Sequence, residues 1–86
     1  MSDNIRIIAS DLGFPEGPVW MADGSVILGE ISGKKVTRVA PDGTKTEIAS
    51  EGLVTPGSVA IGPDGALYVS NKSTQAGTGE VVRIQP

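Results

Sequence analysis

Two segments of this 86-residue chain repeat one another. Residues 14–29 align without gaps with residues 55–70, so that Pro15 corresponds to Pro56, 41 residues further on. A repeat of roughly 40 residues that contains several strand-like runs has the length of one β-propeller blade. The sequence therefore predicts two blades. Because propellers close with about four to eight blades around a channel, we expect these two to belong to a larger ring.

Eight short runs are rich in Val, Ile, Thr and aromatic residues and are bounded by turn residues, which is typical of β-strands. They cover residues 5–9, 17–20, 25–30, 35–40, 45–49, 58–61, 66–71 and 80–84. Three Asp-Gly pairs between apolar runs predict tight hairpins, because Gly readily adopts positive φ and Asp tolerates it. These pairs are Asp23-Gly24, Asp42-Gly43 and Asp64-Gly65. No run has a sustained 3.6-residue apolar period, so the predicted fold class is all-β with antiparallel blades.

The flanking residues extend the repeat and predict how the ring closes. Residues 8–12 align with residues 48–53 once a single Gly is inserted, and residues 36–41 align with residues 81–86. Residues 1–86 are thus expected to form a single unit of two four-stranded blades: an outer strand, three inner strands, an outer strand and three inner strands. The last blade lacks its own outer strand, and we expect residues 5–9 of another copy to supply it. The predicted partner is the chain itself, in a head-to-tail ring with heterologous contacts. Three copies give six blades and four copies give eight.

Composition excludes several classes of function. The chain has no Cys and no His, which excludes zinc sites built from those residues. The net charge is −3 and the seven basic residues are scattered, so neither nucleic acid nor an anionic membrane is an expected partner. No apolar run approaches the roughly 20 residues that span a bilayer, and the first residues lack the features of a signal peptide. The expected location is therefore the cytoplasm.

One motif has a more specific resemblance. Residues 12–20 read Leu-Gly-Phe-Pro-Glu-Gly-Pro-Val-Trp, and Asp-Gly-Ser-Val-Ile-Leu-Gly-Glu-Ile follows at residues 23–31. Over residues 8–50 the chain resembles the opening blade of the gluconolactonase, regucalcin (senescence marker protein) and luciferin-regenerating-enzyme family. Residues 56–71 resemble blades of the wider superfamily, which includes NHL-type propellers.

The resemblance implies a six-bladed propeller, here a homotrimer, with a divalent metal, often calcium, in the central channel and hydrolysis of sugar lactones as its activity. Glu16 matches the Glu of the family's Glu-Gly-Pro motif and would be a metal ligand at the start of an innermost strand. The corresponding residue of the second repeat is Gly57. The other family ligands, two Asn and an Asp, belong to later blades. In a trimer, three Glu16 carboxylates would surround the axis, where they would bind a cation or remain solvated. No catalytic residue is assigned, and no cofactor other than such a cation is expected.

Other polar and aromatic residues are assigned to structure rather than chemistry. Trp20 and Tyr68 could stack on a sugar, but both lie in apolar strands and are expected to pack in the core. Phe14, just before the inner strand, is expected to pack under the rim of the channel. Glu30 and Asn71 occupy equivalent strand ends. Lining of a binding face is the alternative there, but both are expected to be solvated. The Gly-rich loop over residues 73–79 has no Lys after its glycines and no following helix, so it is not a phosphate-binding loop.

These observations favour a structural function over an enzymatic one. The leading hypothesis is a self-assembling propeller scaffold related to sugar-lactone hydrolases, without a complete active site in one chain. The first alternative is a calcium-dependent lactonase whose site forms in the channel of the oligomer, where a small molecule would bind. The second is a carbohydrate-binding propeller. The simple repeat and the short length are typical of a fragment or of an engineered unit. The sequence leaves open which of these two origins the chain has.

Overall fold

The structure is a computed structural model that describes residues 4–72 and 75–85, and these residues form two antiparallel β-sheets without any helix. The strands are β1 (Pro15–Trp20), β2 (Val26–Glu30), β3 (Lys35–Val39), β4 (Lys45–Ala49), β5 (Thr55–Ile61), β6 (Leu67–Lys72) and β7 (Glu80–Ile84). The first sheet has the order β1-β2-β3-β4 and the second has the order β5-β6-β7. The all-β prediction is confirmed. Within the described ranges, no helix has the length and apolar character needed to cross a bilayer.

The strands differ from the predicted ones in two respects. β1 and β5 begin at Pro15 and Thr55, ahead of the predicted starts at residues 17 and 58. Residues 5–9 join no ladder with the described part of the chain, so the second sheet has three strands within one chain. A strand needs a neighbour, and the proposed neighbour of residues 5–9 is another copy, so their role as an outer strand stays a prediction. Part of the predicted loop, residues 73 and 74, and the terminal residue 86 lie outside the described residues.

The three Asp-Gly hairpins form as predicted. Gly24, Gly43 and Gly65 have φ values of 88°, 92° and 81°. Their backbone N–H groups donate hydrogen bonds of 2.8–2.9 Å to the carbonyl groups three residues earlier. Since β-branched or bulky residues rarely adopt positive φ, these glycines determine where consecutive strands reverse direction.

Side chains alternate along a strand, so each sheet has two faces, and both faces carry apolar residues. We call the side of the first sheet that packs on the second sheet its front face; it carries Ile27 and Val36. Its back face carries Val26, Leu28 and Val39, which lie beside residues 8–12. The second sheet turns its own back face, with Leu67 and Val69, toward the first sheet. Its front face therefore carries the alternate residues, which include Tyr68 and Val81.

The hydrophobic core lies between the two sheets. Its buried side chains come from both sheets and from the connection between them: Ile27, Val36, Leu53, Val59, Leu67 and Val69. Fully burying one such side chain stabilises the fold by about 1.5–3 kcal/mol. The core is therefore a contact between the two sheets.

Two glycines allow the sheets to approach closely at the end where β1 and β5 begin. A methyl group at Gly29 would lie 2.7 Å from the carbonyl oxygen of Pro56 and closer still to that of Gly57. A methyl group at Gly17 would overlap the Cα of Ser58. Gly17 also has a φ of +56°, which most L-residues avoid. Side chains at these two positions would force the sheets apart.

The packing predictions for Trp20 and Phe14 are wrong for a single chain. Both side chains are largely exposed. Trp20 is paired with Val26 and therefore points to the back face of the first sheet, whereas the second sheet covers only the front face. Phe14 lies in a connection with a φ of +57° and has no sheet above it.

Substitution of Gly29 tests the close approach of the sheets. We expect Gly29→Ala to lower the free energy of unfolding by about 1–3 kcal/mol, because overpacking must displace backbone rather than a flexible side chain. Gly79→Ala is the matched control, since a methyl group there would meet only the Asn71 carbonyl oxygen at an ordinary 3.8 Å. Urea denaturation of both variants measures the difference. Equal midpoints for the two variants would contradict the close contact.

Candidate functional site

The site suggested by sequence lies at one end of the two sheets, which we call the mouth. The connections over residues 10–14, 31–34 and 50–54 meet there, and β1 and β5 begin there. Glu16 is the second residue of β1, is paired with Gly29 of β2, and is partly exposed. Its position at the start of the first strand is the one that sequence predicts. Its role as a metal ligand stays a prediction.

The second repeat places a cation where the first has Glu16. The side chain of Lys72, at the end of β6, lies over Gly57: a methyl group at Gly57 would be 3.1 Å from the Lys72 Cε and 3.5 Å from its Nζ. Because Gly57 has no side chain, the Lys72 side chain has room to lie over it. The two repeats consequently contribute opposite charges to the mouth.

Within the described residues, no cluster of carboxylates surrounds Glu16. A hard divalent cation takes six to eight oxygen ligands, several of them carboxylates. Among residues 4–72 and 75–85, no three acidic residues lie together in a group that could hold a metal ion. Glu16 is therefore not part of a cluster of acidic residues in the described part of the chain.

Glu30, by contrast, is an interior residue that anchors the mouth. Its side chain is 4% exposed. One carboxylate oxygen accepts a 2.7 Å hydrogen bond from the Gly13 backbone N–H, and the other accepts one from the Thr37 hydroxyl. Lys35 Nζ lies 4.0 Å away. The carboxylate therefore holds the connection over residues 10–14 against β2 and β3.

The electrostatics of Glu30 follow from these bonds. Burial alone would raise its pKa, since it disfavours the charged form. The hydrogen bonds from Thr37 and Gly13, together with the charges of Lys35 and Lys45, more than offset burial and hold the pKa of Glu30 below its ordinary value. The ionised carboxylate is thus the form that stabilises the fold.

Asn71 performs the same task in the second repeat. It is also 4% exposed. Its Oδ1 accepts a 2.9 Å hydrogen bond from the Val54 N–H, and its Nδ2 donates 3.1 Å to the Gly52 carbonyl oxygen. Val54 occupies the repeat position of Gly13, just as Asn71 occupies that of Glu30. Both residues therefore fasten the connection that leads into the first strand of their blade.

The expectation that Glu30 and Asn71 are solvated is wrong. A strand end is normally exposed, but here the incoming connection covers it and needs a polar partner for a backbone N–H. The signal that could have revealed this was their equivalence: polar residues with similar hydrogen-bonding groups recur at one repeat position although the residues around them vary. No comparable signal identified Lys72.

The opposite end of the sheets is stabilised by two equivalent ion pairs. Arg38 lies 2.7 Å from Asp23, and Arg83 lies 3.0 Å from Asp64. Hydrogen bonds from the Ser25 hydroxyl and N–H, and then from Arg38, hold the pKa of Asp23 well below its ordinary value. These aspartates order their hairpins, in agreement with their assignment as turn residues.

The two aromatic residues considered for sugar stacking do not lie together. Trp20 is on the back face of the first sheet, whereas Tyr68 is on the front face of the second and donates a 3.0 Å hydrogen bond to Asp64. Both sheets, and the core between them, separate the two side chains. Within one chain they cannot sandwich a single sugar.

Comparison with known proteins gives one relative. The chain is 28% identical to a gluconolactonase of Zymomonas mobilis subsp. mobilis over 99 aligned positions, which cover all of this chain and 27% of that protein. The chain thus spans about a quarter of the length of its relative. No family model matches. The similarity supports a distant gluconolactonase-like relationship and leaves the activity of this chain to be proposed.

The charge of Glu30 predicts a pH dependence of stability. Because its folded pKa is depressed, its contribution is fully present above the ordinary value of 4.5 and is lost as the pH falls through the folded pKa. We expect Glu30→Gln to lower the free energy of unfolding by about 2 kcal/mol at neutral pH, which is typical of hydrogen bonds to a charged group. Urea denaturation between pH 7 and pH 3 should show this difference shrinking below 4.5.

The control for this measurement is Glu51→Gln, at an exposed turn residue. A surface change of this kind should alter the free energy of unfolding by no more than about 0.5 kcal/mol. A pH-independent difference between the parent chain and Glu30→Gln would contradict a role for the ionised carboxylate.

Proposed function

We propose that this chain, which is similar to a gluconolactonase along its whole length, is a self-assembling two-blade subunit of a β-propeller. Three copies in a head-to-tail ring would form six blades, the number that the family resemblance implies. The function is structural: the chain builds a propeller from identical parts. One observation carries the proposal, namely the unequal burial of two equivalent valines.

Val36 and Val81 occupy the same position of the repeat, on the front faces of the first and second sheets. Val36 is 0% exposed because the second sheet covers it, whereas Val81 is 76% exposed. The front face of the second sheet thus presents an apolar residue at the position that elsewhere forms the contact between blades. A third blade packed on it would cover Val81 in the same way.

The complementary surface lies at the other end of the chain. Val26 and Leu28, on the back face of the first sheet, are the repeat equivalents of Leu67 and Val69, which pack against Ile27 and Val36. A cavity of about 220 Å³ remains on this back face. Leu28 is only 6% exposed and residues 8–12 lie beside it, so the front face of one copy would pack on those residues as well as on Val26 of the next copy. Such a front-to-back contact is the arrangement required for a heterologous ring.

Solution mass tests the assembly. We expect sedimentation analysis to give about three times the 8.8 kDa chain mass. Val81→Asp should reduce the mass to that of one chain, because it places a charge in the proposed contact without touching the core. Val54→Asp is the matched control at a partly exposed connection residue and should leave the assembly intact. A folded parent chain that sediments as a monomer would refute the proposal.

A second candidate function is hydrolysis of a sugar lactone in the channel of the assembled ring. The similarity to a gluconolactonase and the position of Glu16 at the start of β1 favour it. In a trimer, three Glu16 side chains would approach one axis, which is the arrangement that calcium binding would need. Each chain would also contribute Lys72, and for that reason the structural function ranks first.

Calcium binding tests this second candidate. If calcium binds the folded assembly through Glu16, a calcium concentration about a hundred times Kd should stabilise it by about 2.7 kcal/mol. Glu16→Gln should abolish this effect, whereas the exposed control Glu51→Gln should retain it. Hydrolysis of a sugar δ-lactone is then measured with and without calcium. Absence of both stabilisation and hydrolysis in an assembled sample would eliminate the lactonase function.

A further inference from the structure

We propose that the mouth of the second sheet binds a small hydroxycarboxylate, whose carboxylate pairs with the Lys72 ammonium group while one of its hydroxyl groups hydrogen-bonds to Ser70. This inference rests on the proposed lactonase function only for the choice of ligand. Hydrolysis of a sugar lactone adds water across the ring ester bond and gives a hydroxycarboxylate and a proton. The binding itself requires neither the assembled ring nor hydrolysis.

The site is a groove of about 280 Å³ where β6 ends and β7 begins. It is lined by Ser70, Asn71, Lys72, Gly79, Glu80 and Val81. Ser70 lies opposite Val81 across the two strands. Because side chains alternate along a strand, Ser70, Lys72 and Val81 share the front face of the second sheet. The groove therefore combines a hydroxyl group, an ammonium group and an apolar side chain, which are the groups that a small hydroxylated acid needs.

The ammonium group of Lys72 forms no ion pair within the described part of the chain. The ion pairs of those residues use Lys35, Arg38 and Arg83. Glu80 also lines the groove, but it lies opposite Asn71 on the other face, and its Oε1 accepts a 3.2 Å hydrogen bond from the Asn71 Nδ2. The charge of Lys72 is therefore free to pair with an anionic ligand, in a charge-assisted hydrogen bond.

Gly57 determines where this ammonium group lies. The Lys72 side chain leans over β5, so that a methyl group at Gly57 would meet its Cε at 3.1 Å and its Nζ at 3.5 Å. The stem of the lysine thus lies along the strand, while the residue as a whole remains exposed. A lysine laid on a surface has already lost part of its side-chain freedom, so binding a ligand costs it less conformational entropy.

A second polar group at the same place has unused hydrogen-bonding capacity. Thr55 is the residue of β5 that lies opposite Lys72. Its Oγ1 is buried and has no hydrogen-bond partner among the described residues. Buried polar groups are normally satisfied, and an exception calls for an explanation such as a bound ion or polar ligand. The hydroxyl group without a partner and the ammonium group without a counter-ion thus mark one point of the sheet.

Lys72 stays accessible if a further blade packs on the front face of the second sheet. Ile31 occupies its repeat position, at the mouth of the first sheet. Although the second sheet packs on the first, Ile31 keeps part of its surface exposed, whereas Val36, further along that face, is fully buried. A blade packed on the second sheet in this way would cover Val81 and leave Lys72 exposed at the mouth.

Titration of the isotope-labelled chain with sodium gluconate at constant ionic strength, followed by NMR, tests the site. At the ligand efficiency usual for small molecules, gluconate should bind with a Kd of about 1 mM and shift the amide signals of the groove. Lys72→Gln should raise the Kd about tenfold, because a hydrogen bond to a charged group is lost. Lys34→Gln, at an exposed lysine of the same mouth, is the matched control and should change the Kd by less than about twofold.

Two further arms test the geometry and the ligand class. Gly57→Ala keeps the charge but pushes the Lys72 side chain aside, and we expect the Kd to rise several-fold. Acetate has a carboxylate without hydroxyl groups, and glucose has hydroxyl groups without a carboxylate. Each should bind several-fold more weakly than gluconate, whereas equally strong binding of either would overturn the assignment of a hydroxycarboxylate.

The outcomes separate this inference from the proposed function. Gluconate binding that depends on Lys72 in a monomeric chain without lactone hydrolysis would support the site while the proposed function fails. An assembled or active chain that shows no saturable shifts, or that binds gluconate equally well after Lys72→Gln, would overturn the site and leave the proposed function standing. Since Lys72 is exposed, this variant is expected to fold, and its amide spectrum checks that it does.

Discussion

A β-sheet with apolar residues on both faces needs a neighbour on each side, and the other features of this chain follow from that constraint. The first sheet meets it on the front face, where Ile27 and Val36 are buried against the second sheet. Gly17 and Gly29 make the contact possible, because side chains there would collide with β5. The same constraint is unmet on the front face of the second sheet. The same front-face position is therefore buried in the first sheet, at Val36, and exposed in the second sheet, at Val81.

Much of the fold could be predicted from the sequence, because the features that the two repeats share are those that determine local structure. Strand patterning and the Asp-Gly pairs determine where strands run and reverse, and those are short-range properties. The contacts of Glu30 and Asn71 could not be predicted in the same way. They depend on a connection folding back over a strand end, which brings Gly13 within 2.7 Å of Glu30 across 17 residues of sequence. Periodicity carries no information about such a contact.

The mouth contains the motif of Glu16, but the described residues hold no cluster of further metal ligands around it. Glu16 keeps the place that its motif predicts, at the start of β1. Glu16 could hold a metal ion only together with ligands from other blades. The second repeat has Gly57 at the equivalent position, and the side chain of Lys72 lies over it. One carboxylate supplies too few oxygen ligands for a divalent cation such as calcium, which takes about six to eight. Similarity in the motif therefore extends to the fold of the blade more readily than to its chemistry.

In the proposed assembly, folding and association depend on one another. An 86-residue domain buries only about 60% of the surface of its unfolded chain, and here part of the apolar surface lies at the two ends. Each blade-to-blade contact made with another copy would bury side chains of the same kind as those in the internal core. Since a partner that binds only the folded form stabilises it by mass action, the stability of such a subunit rises with its own concentration. Lys45 and Glu47 of β4 are exposed and charged, whereas Ile5 and Ile7, at the equivalent positions of the N-terminal segment, are exposed and apolar.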